Sequence, residues 1–137
     1  MLEMTEEVRA AIVDHAIRCA PEEACGLLAG PSGGDLVDRY FAMTNLAASA
    51  TRFVLDGREM LDVEDEVERL GLEIRAVLHS HPTTAARPSD TDVADWARFD
   101  PLGVWRSVIV SLDGDEPMVG CHRIHDGRVE LEEMTIS

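Results

Sequence analysis

Val8, Ile12, Ala16 and Cys19 recur at the three-and-four spacing that gathers apolar side chains on one side of a helix. A helix is therefore expected from Thr5 to about Ala20, with Pro21 ending it. The apolar run Ala24–Ala29 is too short for a helix and is followed by the turn signal Pro31-Ser32-Gly33-Gly34-Asp35. It reads as a strand, and Leu36–Met43 as its returning hairpin partner. Arg52–Leu55 reads as a further short strand. Asp56 has the character of an N-cap, with Glu59 as its reciprocal partner. Met60, Val63, Val67 and Leu70 supply the buried face of a second helix, which Gly71 stops. Glu73–Leu78 is a strand running into His79-Ser80-His81-Pro82, and residues 83–88 are a loop. Ser89 opens a third helix reaching about Trp96. Strands follow at Trp105–Leu112, Met118–His125 and Val129–Ile136, separated by the turns Asp113–Pro117 and Asp126-Gly127. Helices and strands mix without strict alternation, so the expected class is α+β with a mixed sheet.

Length and composition narrow the picture. The chain has 137 residues, 45% hydrophobic and 28% charged, which fits one domain over residues 1–137 with a core of its own. No apolar run approaches the ~18 residues of a membrane span. The acidic N-terminus lacks a basic patch followed by an apolar stretch, so a cytoplasmic protein is expected. Asp and Glu number 27 against 12 basic residues, a net charge of −15 that repels phosphate backbones and excludes nucleic acid as a partner. All 12 basic residues are arginine. The favoured reading is a compositional bias of the genome or a salt-adapted proteome; the alternative is an enzyme of lysine-linked conjugates that avoids becoming its own substrate. Cys19, Cys25 and Cys121 have no metal-type spacing and read as buried or free thiols, Cys25 as a small core residue.

The chemistry concentrates in His79-Ser80-His81-Pro82 and Ser89-Asp90-Thr91-Asp92. On an extended chain His79 and His81 point to the same face. Two neutral imidazoles are two-thirds of a catalytic zinc site, and Asp92, in the first turn of the next helix, is the best-placed third ligand. Such a site leaves one position open for water, whose pKa zinc lowers to about 7. Hydrolysis then needs a general base, for which Glu22 and Glu23 are candidates, and an oxyanion donor, for which Ser89 is the candidate. Ser89-x-x-Asp92 also satisfies a capping pattern, and the two roles are compatible. His122 and His125, three residues apart on a strand, point to opposite faces and are read as structural or solvent-facing.

These residues resemble the JAMM, or MPN-plus, metalloprotease family: His-x-His-Pro, six residues, Ser, two residues, Asp. Upstream, Pro21-Glu22-Glu23-Ala24-Cys25-Gly26-Leu27-Leu28 is similar to the strand carrying the family's glutamate, which assigns the catalytic acid to Glu23. The resemblance implies a curved mixed β-sheet flanked by helices, related to cytidine deaminases, and one Zn2+ per chain held by His79, His81 and Asp92. Glu23 would then shuttle the proton and Ser89 would stabilise the oxyanion. It further implies hydrolysis of the amide bond after the Gly-Gly tail of a ubiquitin-fold protein. Glu23–Pro31, Met43-Thr44-Asn45 and Phe53–Asp56 are most similar to compact prokaryotic members that release cysteine from a ThiS/MoaD-like sulfur carrier. The runner-up is an isopeptidase removing ubiquitin-like modifiers from protein lysines. Weaker alternatives are a non-catalytic MPN interaction module and nucleoside deamination, whose Pro-Cys-x-x-Cys signature is absent. Arg52, Phe53, Val54 and Leu55 are expected to line the cleft and bind the tail by strand addition, in a monomer or homodimer.

Overall fold

Leu27, Val77 and Ile124 face one side of the central strands while Leu28, Leu78 and Val108 face the other, so one sheet carries two separate cores. The computed structural model describes Met1–Ser137. In chain order the elements are β1 (Leu2–Met4), α1 (Glu6–Cys19), β2 (Cys25–Pro31), β3 (Leu36–Val37), β4 (Arg39–Met43), α2 (Gly57–Arg69), β5 (Leu72–His81), α3 (Asp90–Phe99), β6 (Arg106–Ser111), β7 (Met118–His125), β8 (Arg128–Leu131) and β9 (Met134–Ile136). Six strands form a mixed sheet in the order β4-β2-β5-β6-β7-β8, and β3-β1-β9 form a small second sheet. α1 packs Val8, Ile12 and Ala16 on one face of the large sheet, while α2 and α3 cover the other with Met60, Val63, Val93 and Trp96. No helix is long and apolar enough to cross a membrane.

β5 and β6 are the parallel pair of the large sheet, and α3 lies in the crossover that such a pair requires. The crossover puts the N-terminus of α3 beside the carboxyl end of β5. Thr5, Asp56 and Ser89 cap the three helices with their side chains, and Gly71 ends the α2 turn at φ +69°.

Four expectations need correction. The strand expected over Leu36–Met43 breaks at Asp38, whose amide donates to the Ala29 carbonyl; β3 then leaves for the small sheet. β2 and β3 approach so closely that a Cβ on Gly30 would lie 1.8 Å from the Leu36 carbonyl oxygen. Arg52–Leu55 is no strand: it is extended chain joined to its neighbour by the single bridge Asn45–Leu55. Glu59 does not close a capping box with Asp56; its carboxylate accepts from the Thr44 amide and hydroxyl at 2.7 and 3.0 Å. The last strand divides between β8 and β9, because Glu132 turns inward to accept from Arg106 and Arg123. β1 went unpredicted, its two buried residues Leu2 and Met4 being too few to show a period.

Candidate active site

His79 and His81 lie two residues apart on β5 and therefore share a face. Their Nε2 atoms are 3.1 Å apart, and each is 3.0 Å from Oδ2 of Asp92 on α3. All three residues are buried. The same Oδ2 accepts from the Ser89 amide at 3.0 Å, while Ser89 Oγ accepts from the Asp92 amide at 3.1 Å. The helix cap and the histidine cluster are thus one structure: the cap fixes the carboxylate that faces the imidazoles. With that lone pair occupied, the Ser89 O–H remains free to donate.

His81 Nδ1 donates to the Ala85 carbonyl at 2.8 Å, which leaves Nε2 of the neutral ring as a bare lone pair facing the carboxylate. Two imidazole nitrogens and a carboxylate oxygen at this spacing could hold a cation shared between them. A tetrahedral ion with bonds of about 2.0–2.1 Å would set such ligands roughly 3.3 Å apart, so the group fits with small adjustments. The donor set of two imidazoles and a carboxylate suits zinc. In the protein without metal, burial lowers the pKa of His79 against its hydrogen bond to Asp92. Burial also opposes charge on His81, but the bonds that the protonated ring makes to Asp92 and Ala85 outweigh this and raise its pKa. Asp92 is desolvated too, yet the two histidines hold it well below the usual carboxylate range.

Of the two sequence candidates for the acid, Glu22 is exposed and Glu23 is 3% exposed. Glu23 is carried at the entrance to β2, where its amide donates to the Ser49 carbonyl and its own carbonyl accepts from Asn45 Nδ2. Its Oε1 has no hydrogen-bond partner. Burial, reinforced by the Asp92 charge, pushes its pKa up to about 8. Glu23, His81 and Ser89 line one small cavity of about 100 Å³ together with Thr51, Thr83 and Thr84. The largest cavity, about 640 Å³, lies at the opposite end of β5 around Leu72–Arg75 and holds none of this chemistry.

Arg52, Phe53, Val54 and Leu55 line a neighbouring groove of about 230 Å³ with Asp95, Arg98 and Phe99 of α3. Phe53 stacks on His79 with ring centroids 4.5 Å apart, and Arg52 makes a bidentate pair with Asp95 at 3.0 Å. Asn45 organises the segment: it accepts from the Val54 amide and donates to the Arg52 carbonyl, and the Leu46 amide takes the Val54 carbonyl. Val54 thus has no free backbone edge, whereas the amide and carbonyl of Phe53 are unpaired. Asp95 was missed from the sequence, although its place three residues after Asp92 puts it on the same helical face. Cys25 is buried, and its thiol is pushed up to about 12, chiefly by burial, so it is a core residue and no nucleophile. His122 is buried and His125 exposed, on opposite faces as their spacing requires.

The sequence matches the family described as prokaryotic homologs of the JAB domain over residues 5–121. It is 37% identical over 126 residues to the CysO-cysteine peptidase of Mycobacterium tuberculosis, covering 92% of this chain and 84% of that protein. A desampylase of Haloferax volcanii is 32% identical over 96 residues, 66% of this chain and 69% of that protein. Among solved structures, protein DSY2949 of Desulfitobacterium hafniense superimposes with a TM-score of 0.89 at 33% identity, covering 100% and 93% of the two chains. A JAB1/MPN domain protein of Archaeoglobus fulgidus shares the fold with a TM-score of 0.65 at 21% identity, covering 99% and 97%. With its JAMM fold and the His79-His81-Asp92 cluster, the chain belongs to the prokaryotic JAB-domain family of JAMM-type metallopeptidases.

Proposed function

We propose that this chain is a zinc-dependent peptidase that hydrolyses the amide bond after the C-terminal Gly-Gly of a ubiquitin-fold, ThiS/MoaD-like sulfur carrier, with a carrier–cysteine adduct as substrate. The observation that carries this reading is the meeting of His79, His81 and Asp92 beside the cavity shared by Glu23 and Ser89. The 37% identity to a CysO-cysteine peptidase supports the choice of substrate. The 137 residues act as one cytoplasmic catalytic domain, monomeric or homodimeric.

His79, His81 and Asp92 would hold the zinc ion, which when bound supplies Lewis acidity toward a carbonyl oxygen and an activated nucleophile at neutral pH. Glu23 takes a proton at its unpartnered Oε1 and returns it to the leaving amine; its raised pKa suits a group that must both accept and give near neutrality. Ser89 directs its free O–H at the oxyanion of the attacked carbonyl. The extended segment Arg52–Leu55 holds the glycine tail through the unpaired backbone of Phe53, and the Phe53 ring shields His79 from water.

The test is mass spectrometry of a carrier–cysteine adduct and a carrier–lysine isopeptide after incubation with zinc-loaded protein. Release of cysteine with an intact Gly-Gly terminus is expected. Cleavage of the lysine isopeptide alone would transfer the assignment to modifier removal, the activity of the desampylase type. No cleavage of either by protein shown to hold zinc would overturn the proposal.

A further inference from the structure

Residues 82–88 connect His81 to Ser89 without regular structure. Within them the Ala85 carbonyl accepts from His81 Nδ1 at 2.8 Å, and this bond sets the tautomer and ring plane of His81. A carbonyl in an irregular segment aims a ring only if the segment itself is held. Two neighbouring strands hold it. On β6, Ser111 Oγ donates to the Thr84 carbonyl at 2.5 Å and accepts from the Asp113 amide at 3.2 Å. Ser111 is 4% exposed and is the direct cross-strand partner of His81. On β7, Gly120 lies so close to the strap that a Cβ there would be 2.3 Å from the Ala86 carbonyl oxygen.

We infer that Ser111 and Gly120 are positioning residues for His81: they clamp residues 84–86 from β6 and β7, so that the Ala85 carbonyl aims Nε2 of His81 at the metal position. The inference rests on reading His79, His81 and Asp92 as a zinc site. Ser107 supplies an internal comparison. It sits on the same strand and the same face as Ser111 and is equally buried, but its hydroxyl has no partner and does not reach the strap.

The test is titration of Zn2+ into metal-free protein against a chromophoric chelator, with thermal unfolding measured before and after loading. Ser111→Ala is expected to weaken zinc binding roughly 10- to 100-fold and to shrink the zinc-induced rise in Tm, with the metal-free Tm little changed. Ser111→Thr restores the hydroxyl and most of the affinity. Gly120→Ala, which displaces the strap without removing a hydrogen bond, weakens zinc binding in the same range and carries the test if Ser111→Ala does not fold. Ser107→Ala leaves the affinity within twofold of wild type. Folded Ser111→Ala or Gly120→Ala protein that binds zinc as tightly as wild type would overturn the clamp. So would a loss on Ser107→Ala equal to that on Ser111→Ala. Wild-type protein that binds no zinc would instead overturn the metal reading, and the clamp with it.

Discussion

Glu23→Gln is expected to separate catalysis from stability in opposite directions. The carboxyl is 3% exposed, has an unpartnered oxygen, and is held by burial and by Asp92 at a pKa of about 8 against the ordinary 4.5. In metal-free protein between pH 4.5 and 8, the unfolded chain releases a proton that the folded chain keeps, so this residue lowers stability progressively as pH rises through that window. The full shift corresponds to a ceiling of roughly 5 kcal/mol at 1.36 kcal/mol for each pH unit. The cavity admits solvent, and screening reduces this to about 2 kcal/mol. Glutamine carries no charge at any of these pH values. In EDTA at pH 8.5, Glu23→Gln should therefore be more stable than wild type by about 2 kcal/mol, or roughly 7 °C in Tm for a chain of this length. At pH 4.5 the two should unfold within about 0.5 kcal/mol of each other. Urea unfolding at both pH values measures the difference. In zinc-loaded protein the same substitution should lower kcat by roughly 10²–10⁴-fold while zinc remains bound. Parallel pH profiles for the two proteins would refute the burial argument, and retained kcat would refute the proton-transfer role.

Three further outcomes follow from named contacts. Ser89→Ala should lower kcat by about 10²–10³-fold through loss of the oxyanion donor and cost about 1 kcal/mol through loss of the cap. Ser89→Thr keeps both the hydroxyl and the cap, so steady-state kinetics of the pair separate the role from simple damage. Asp92→Asn removes a ligand charge and weakens the reciprocal cap, so zinc content after dialysis should fall to background with a loss of about 1 kcal/mol in metal-free stability. Glu59→Ala frees Thr44 and with it the chain leading to the Arg52–Leu55 groove, so KM for the carrier adduct should rise several-fold with kcat little changed; an unchanged KM would remove the groove from substrate binding.

The sequence by itself determined the class and which three side chains would meet as a candidate metal site, for a local reason. His79 and His81 share a face because strand side chains alternate, and Asp92 and Ser89 meet because a helix start closes its unsatisfied amides on a side chain three residues away. The periods of α1 and of Met118–His125 were equally legible, since each follows from its own residues. What only the tertiary structure decided depends on partners far away in the chain. The family resemblance already picks Glu23 over Glu22, but its burial comes from the pairing of β2 with β5, which encloses one of two adjacent acids and leaves the other in water. Glu59 leaves Asp56 for Thr44 because α2 packs beside the end of β4, where an unsatisfied amide competes for it. Arg52–Leu55 has a strand's composition, but Asn45 occupies the Val54 amide, so no ladder grows on the edge facing Asn45 and only the Phe53 edge is left unpaired. Ser107 and Ser111 look alike in sequence, and only the strap folding back over β6 gives one of them a carbonyl to hold. A local pattern carries its own geometry; a polar group that must find a distant partner acquires its role when the chain closes around it.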